Sequence, residues 1–158
     1  MKILYICTHN RCRSILSEAI TNQFAQGNLV AKSAGSQPAG EVHPLTLTYL
    51  KEAGISTENL RSQSWDDFVD FAPDVVITVC DSAAGESCPL WFGNSVKVHW
   101  GLADPSRLAN EGATNADVAH AFQHCITEIK QRVAALSDLA HITEPSALRS
   151  ELAKIGAQ

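Results

Sequence analysis

The chain has 158 residues, 45% of them apolar and 18% charged, with 12 basic against 17 acidic side chains and a net charge of −5. That length makes one ordinary domain with a core of its own, and so few charges exclude a disordered chain. The acidic balance excludes nucleic-acid binding through a basic field, and no apolar run approaches the roughly 20 residues of a membrane helix.

Residues 2–6 form a short apolar run that reads as a strand ending at Cys7. Residues 14–26 follow with Ile15, Leu16, Ala19, Ile20 and Phe24 at helical spacing and Gly27 as a stop. Residues 29–32 are a weak second strand, closed by Ser33-Ala34-Gly35-Ser36. Residues 43–53 read as a helix with Pro44 in its first turn and Gly54 just past its end. A short helix is expected over 66–71, a buried β-branched strand over 75–79 and a fourth strand over 95–100. Residues 115–136 are the longest helix, with Val118, Phe122, Ile126, Ile129, Val133 and Leu136 on one face. Residues 143–155 carry Leu148, Leu152 and Ile155 at helical spacing, an appended amphipathic helix that packs on the domain or on a partner. The expected division is a main domain over 1–140 and a helical extension over 141–158. Strands alternating with helices predict an α/β chain, an open parallel sheet covered on both faces, with ligands beyond the carboxyl ends of its strands.

Cysteines stand at 7, 12, 80, 88 and 125. The odd count and the lack of a Cys-x-x-Cys pair argue against a disulfide framework and a structural zinc site. Only four apolar residues separate Met1-Lys2 from Cys7, too few for a signal-peptide core. A reducing cytoplasm is the expected compartment.

The most informative stretch is Cys7-Thr8-His9-Asn10-Arg11-Cys12-Arg13-Ser14. A thiol closes a buried strand, five residues intervene, and an arginine and a hydroxyl then open a helix. Such a loop turns its backbone N–H groups inward as an anion nest, and the helix N-terminus adds more. Residues Thr8, His9, Asn10, Arg11, Cys12 and Arg13 would line it, and the Arg13 fork suits two oxygens of a tetrahedral anion. The same field should lower the pKa of Cys7 and make it a thiolate nucleophile, with Ser14 donating a hydrogen bond to it.

This octapeptide resembles the signature of the low-molecular-weight protein tyrosine phosphatases and of the arsenate reductases that share their fold. The resemblance covers nearly the whole chain to about Leu136. It implies a single-domain three-layer sandwich with a four-stranded parallel sheet in the order 2-1-3-4. The family loop often carries glycine where this chain has His9, so a positive φ falls most naturally on Asn10.

Cys80 directly follows the strand over 75–79, as Cys7 follows the strand over 2–6. If those strands are neighbours about 4.8 Å apart, the two thiols emerge on one edge of the sheet within reach of each other. Cys88 lies eight residues further, about 12 Å along a regular helix, so the segment must loop back or unwind to bring it close. The arrangement resembles the three-cysteine, thioredoxin-coupled arsenate reductases. It implies Cys7 as nucleophile, Cys80 as resolving thiol and Cys88 as relay, with arsenate as substrate and phosphate or sulfate as competing oxyanions. No bound cofactor is expected; the electrons come from an external dithiol, thioredoxin or glutaredoxin. Cys12 and Cys125 read as packing.

Asp104-Pro105, after His99-Trp100-Gly101, resembles the family's general-acid loop, which assigns the acid to Asp104. Phosphatases of the family carry aromatic residues just after this pair, where here Ser106, Arg107 and Leu108 follow. The favoured reading is therefore a small-oxyanion reductase, with a tyrosine phosphatase as the alternative. Asn10, Glu18 and Ser33 resemble positions that hold potassium in some reductases. Arg61, Ser62, Gln63 and Ser64 supply no carboxylate to complete such a site, so a hydrogen-bond network bracing the loop is expected instead.

Overall fold

The apolar runs become four short strands: β1 (Lys2–Ile6), β2 (Val30–Ala34), β3 (Val75–Thr78) and β4 (Val96–His99). In this computed structural model, which describes residues 1–25, 29–85, 93 and 95–157, they pair in parallel in the order β2-β1-β3-β4. The expected order and fold class hold. Ile3, Leu4, Tyr5 and Ile6 of β1 and Val75, Val76 and Ile77 of β3 are buried, which is why both central strands read as continuous apolar runs.

The second strand begins one residue later than expected and runs on to Ala34, because Ser33 and Ala34 pair with Tyr5 and Ile6. Small residues that read locally as a loop are held in the ladder by their neighbour. The third and fourth strands stop short of the expected ends. Val79 and Trp100 still donate to Ile6 (2.9 Å) and Thr78 (2.8 Å) across the sheet.

Helix α1 (Arg13–Phe24) is buried along Ser14–Thr21 and packs against β2 and the long helix over Asn115–Ser137. The expected stop at Gly27 lies outside the described residues. Helix α2 (Pro44–Glu52) is capped by His43, whose Nδ1 accepts from the Leu45 N–H at 3.1 Å, and Gly54 beyond it has φ 74°. Residues Trp65–Phe71 form 3₁₀ turns kinked at Phe68. Two single-turn helices, α3 (Asp81–Ala84) and α4 (Arg107–Asn110), had no sequence signal, since four residues are too few for a period to show. Helix α5 (Asn115–Ser137) buries the expected apolar face and starts at a Thr114 cap. Helix α6 (Pro145–Gly156) buries Leu148, Leu152 and Ile155 against β4 and α5 of its own chain. Among the described residues no helix is long and apolar enough to cross a membrane.

From β1 the chain moves outward to β2 and then returns past β1 to β3 and β4. The sheet therefore reverses direction between β1 and β3, and the crevice beyond their carboxyl ends is where ligands bind in such sheets. Cys7 and Cys80 stand at that point.

Candidate active site

The parallel register pairs Ile6 with Thr78, so one step further Cys7 lies beside Val79, and Cys80 beside Thr8. The Thr8 N–H accordingly donates to the Cys80 sulfur at 3.4 Å, and the Thr8 hydroxyl lies 3.8 Å from it. The Cys7 and Cys80 side chains are hydrogen-bonded to each other. Both thiols are reduced and buried.

The loop between β1 and α1 is fixed from outside. The carbonyls of Thr8, His9 and Arg11 accept from Gln37, Ala39 and His43 at 2.9–3.0 Å. Ser62 and Thr46 hydroxyls add bonds to His9 and Arg11. In a trans peptide the C=O and the following N–H point opposite ways, so the N–H groups of His9 and Cys12 turn to the other side, as an anion nest requires. Asn10 takes the positive φ, 46°, that the sequence assigned to it. His9 is exposed, and its Nδ1 lies 3.0 Å from the Gln37 carbonyl. Gly35 presses on the loop from β2: a Cβ there would sit 2.4 Å from the Thr8 carbonyl oxygen and 2.6 Å from that of Cys7.

Behind the loop, Asn10 Nδ2 donates to Ser14 Oγ (2.8 Å) and Ser33 Oγ (3.0 Å), and Ser33 donates to Glu18 Oε1 (2.6 Å). Asn10 Oδ1 accepts from the Gln63 N–H at 2.8 Å. Burial raises the Glu18 carboxyl above its ordinary range, opposed by the Ser33 bond. These bonds brace the loop from behind, and the 61–64 stretch contributes an N–H to the network.

Arg13 reaches across the crevice. Its Nη1 donates to the Leu102 carbonyl at 3.0 Å, and its Nη2 is 3.9 Å from Asp104 Oδ2. Asp104 Oδ1 accepts both the N–H (3.0 Å) and the hydroxyl (2.6 Å) of buried Ser106. Ser106, Gly35 and the Leu102 carbonyl were not singled out from sequence. Ser106 carries an Asx-turn signal two residues after an Asp, but Gly35 and Leu102 act through contacts that only folding creates. Cys12 and Cys125 are buried packing thiols. Cys88 lies outside the described residues.

The charge in the sulfur pair is not where the sequence put it. The hydrogen bond with Cys80 pushes the Cys7 thiol up, burial adds to this, and the Arg13 guanidinium opposes it. The same bond pulls Cys80 down to about 5 against the effect of burial, with help from the Thr8 and Ala83 backbone amides. Cys80 is the thiol drawn down, chiefly by its bond with Cys7 and further by the backbone N–H groups of Thr8 and Ala83. The expectation of a thiolate resting on Cys7 is corrected accordingly.

The arrangement brings together a loop with inward-turned N–H groups, a guanidinium, an aspartate and two thiols. The chain resembles several known proteins. An arsenate reductase of Halalkalibacterium halodurans is 31% identical over 136 residues, covering 86% of this chain and 94% of the relative. One from Bacillus subtilis is 32% identical, covering 84% and 92%. Among solved structures, a thioredoxin-dependent arsenate reductase from Corynebacterium glutamicum superposes with a TM-score of 0.61 at 32% identity, over 84% of this chain and 57% of that one. An arsenate reductase in a phosphate-binding state gives a TM-score of 0.69 at 26% identity, over 87% and 96%. The family model for low molecular weight phosphotyrosine protein phosphatases matches residues 2–151. With the cysteine loop, the 2-1-3-4 sheet and this match in hand, the chain belongs to the low molecular weight phosphotyrosine protein phosphatase family.

Proposed function

We propose that this chain is an arsenate reductase of the cytoplasm, drawing its electrons from an external dithiol protein, thioredoxin before glutaredoxin. The observation that carries the reading is the hydrogen-bonded pair of Cys7 and Cys80 at the mouth of one oxyanion loop. Ester cleavage needs a single nucleophilic thiol; reduction of arsenic(V) by two electrons needs a second thiol within bonding reach of the first. The relatives named arsenate reductase support the same reading.

Arsenate sits in the nest of residues 8–13 with two oxygens on the Arg13 fork. Cys7 passes its proton along the sulfur–sulfur hydrogen bond to Cys80 and attacks arsenic. Asp104 passes a proton to the departing hydroxyl oxygen, which leaves as water. Ser14 Oγ accepts from Asn10, which leaves its own proton available to the Cys7 thiolate when Cys88 later displaces it from the disulfide. Cys80 then returns its proton to an arsenic-bound oxygen, and its thiolate attacks the Cys7 sulfur. The S–S bond forms, the S–As bond breaks, and its electron pair stays on arsenic, which departs as arsenite. The Thr8 and Ala83 amides that stabilise the Cys80 thiolate prepare that step. Cys88 attacks Cys80, frees Cys7 and carries the disulfide to the external dithiol, which reduces it.

Arsenate turnover coupled to thioredoxin, its reductase and NADPH tests the scheme. Loss of a thiol from the chain of transfers should lower turnover by about 10³-fold or more in Cys7→Ser, Cys80→Ser and Cys88→Ser. Normal turnover by Cys80→Ser overturns the relay.

A further inference from the structure

Arg132 is a buried guanidinium that the chemistry above does not use. It lies on α5 with its side chain 5% exposed. Such a charge is costly to bury unless its N–H groups are satisfied. Its Nη2 pairs with Glu128 Oε1 one turn earlier at 2.9 Å. The rest of the group faces the chain that leaves β4. Nη1 donates to the Gly101 carbonyl at 3.4 Å, and the guanidinium carbon stands 6.0 Å from the Trp100 ring centroid.

Trp100 is gripped from its other side by α6. Its indole N–H donates to the Leu152 carbonyl at 2.8 Å. Gly156 abuts the ring so closely that a Cβ there would come 2.5 Å from Trp100 Cδ1. The next residues carry this anchorage into the crevice. The Leu102 N–H donates to Val79, adjacent to Cys80, at 3.1 Å. The Leu102 carbonyl receives Arg13 Nη1, and Asp104 follows two residues later. Residues 100, 101 and 102 are thus tied in turn to α6, to Arg132 and to both β3 and Arg13.

We propose that Arg132, with α6, is a positioning residue that sets the pose of Arg13 and Asp104 toward the bound oxyanion. This rests on the reading of Arg13 as the oxyanion fork, and it holds whether the anion is reduced or hydrolysed. Without Arg132 the Gly101 carbonyl loses its donor and the peptide is held only by the Leu102 N–H on Val79, so the Leu102 carbonyl can turn and Arg13 loses the acceptor that aims its free edge.

The probe is inorganic phosphate, read by how far it protects Cys7 and Cys80 of the full chain from iodoacetamide. The measurement is made well below the melting temperature, with the modified cysteines identified by peptide mass. Arg132→Met is expected to weaken phosphate binding about tenfold, the worth of one badly aimed charge-assisted hydrogen bond. Arg132→Lys should recover part of the loss, and Trp100→Phe, which lacks the indole N–H, should weaken binding in the same direction. Phosphate affinities within twofold of wild type in both Arg132→Met and Trp100→Phe, whatever their melting temperatures, overturn the inference. If Arg132→Met shows no cooperative melt, Trp100→Phe and Arg132→Lys decide alone. A wild type that turns over no arsenate, but whose phosphate affinity follows the variants as described, removes the reductase reading and upholds the role of Arg132.

Discussion

At the scale of single atoms the governing feature is a proton shared by two sulfurs on adjacent strands. Cys80 is drawn down to about 5 first by its bond with Cys7 and then by backbone amides. A lowered thiol pKa means that the thiolate persists as pH falls. Thiolate absorbance near 240 nm should therefore show one ionised sulfur per chain at pH 7 that is lost only as pH approaches about 5. Cys7→Ala removes the chief cause, so the Cys80 titration should move up toward the ordinary thiol value near 8.5. A midpoint that stays near 5 in that variant would show the amides to be sufficient. The identities of Cys7, Arg13 and Asp104, and the backbone twist at Asn10, could be read from the chain because each sits in a local pattern. The resting place of the charge could not. It depends first on the contact of Cys80 with Cys7 and then on the N–H groups of Thr8 and Ala83, the former 72 positions away along the chain.

The elements act through their ends. β1 and β3 stop level with each other, and the loop that follows β1 is moulded between α1 and the turn after β2. Gly35 is the point of closest approach, with no room for a Cβ beside the Cys7 and Thr8 carbonyls. Gly35→Ala should force the loop away and destabilise the fold by about 1–3 kcal/mol, as overpacking does. Chemical denaturation would read the stability, and phosphate affinity should fall with it. Stability and affinity equal to wild type would mean that the loop yields freely. In the sequence Gly35 is one small residue in a turn-like run of four. Nothing local separates a glycine that merely permits a turn from one on which another strand's loop rests.

Across the whole molecule the late helix is part of the fold. Leu152 on α6 is fully buried, and its carbonyl holds the Trp100 indole. Leu152→Ala should cost about 2–5 kcal/mol. At roughly 2–4 °C per kcal/mol for a chain of this size, the melting temperature should fall by some 5–20 °C. A change under about 2 °C would mark α6 as an ornament. The apolar spacing at Leu148, Leu152 and Ile155 announced an amphipathic helix and left two candidate surfaces for it, the chain's own and a partner's. The structure lays it over β4 and α5.

Taken alone, the order of residues determined the longer helices and the parallel sheet and marked out the cysteine loop, because periodicity, turn chemistry and an eight-residue motif are all carried by near neighbours. Only the tertiary structure decided which of the two thiols is drawn down, that Ser106 pins Asp104, that Asn10, Ser33 and Glu18 brace the loop, and that a buried arginine on the fifth helix reaches the Gly101 carbonyl. Those outcomes arise from groups far apart in the chain, and their hydrogen bonds and burial exist only once the sheet and helices have brought them together.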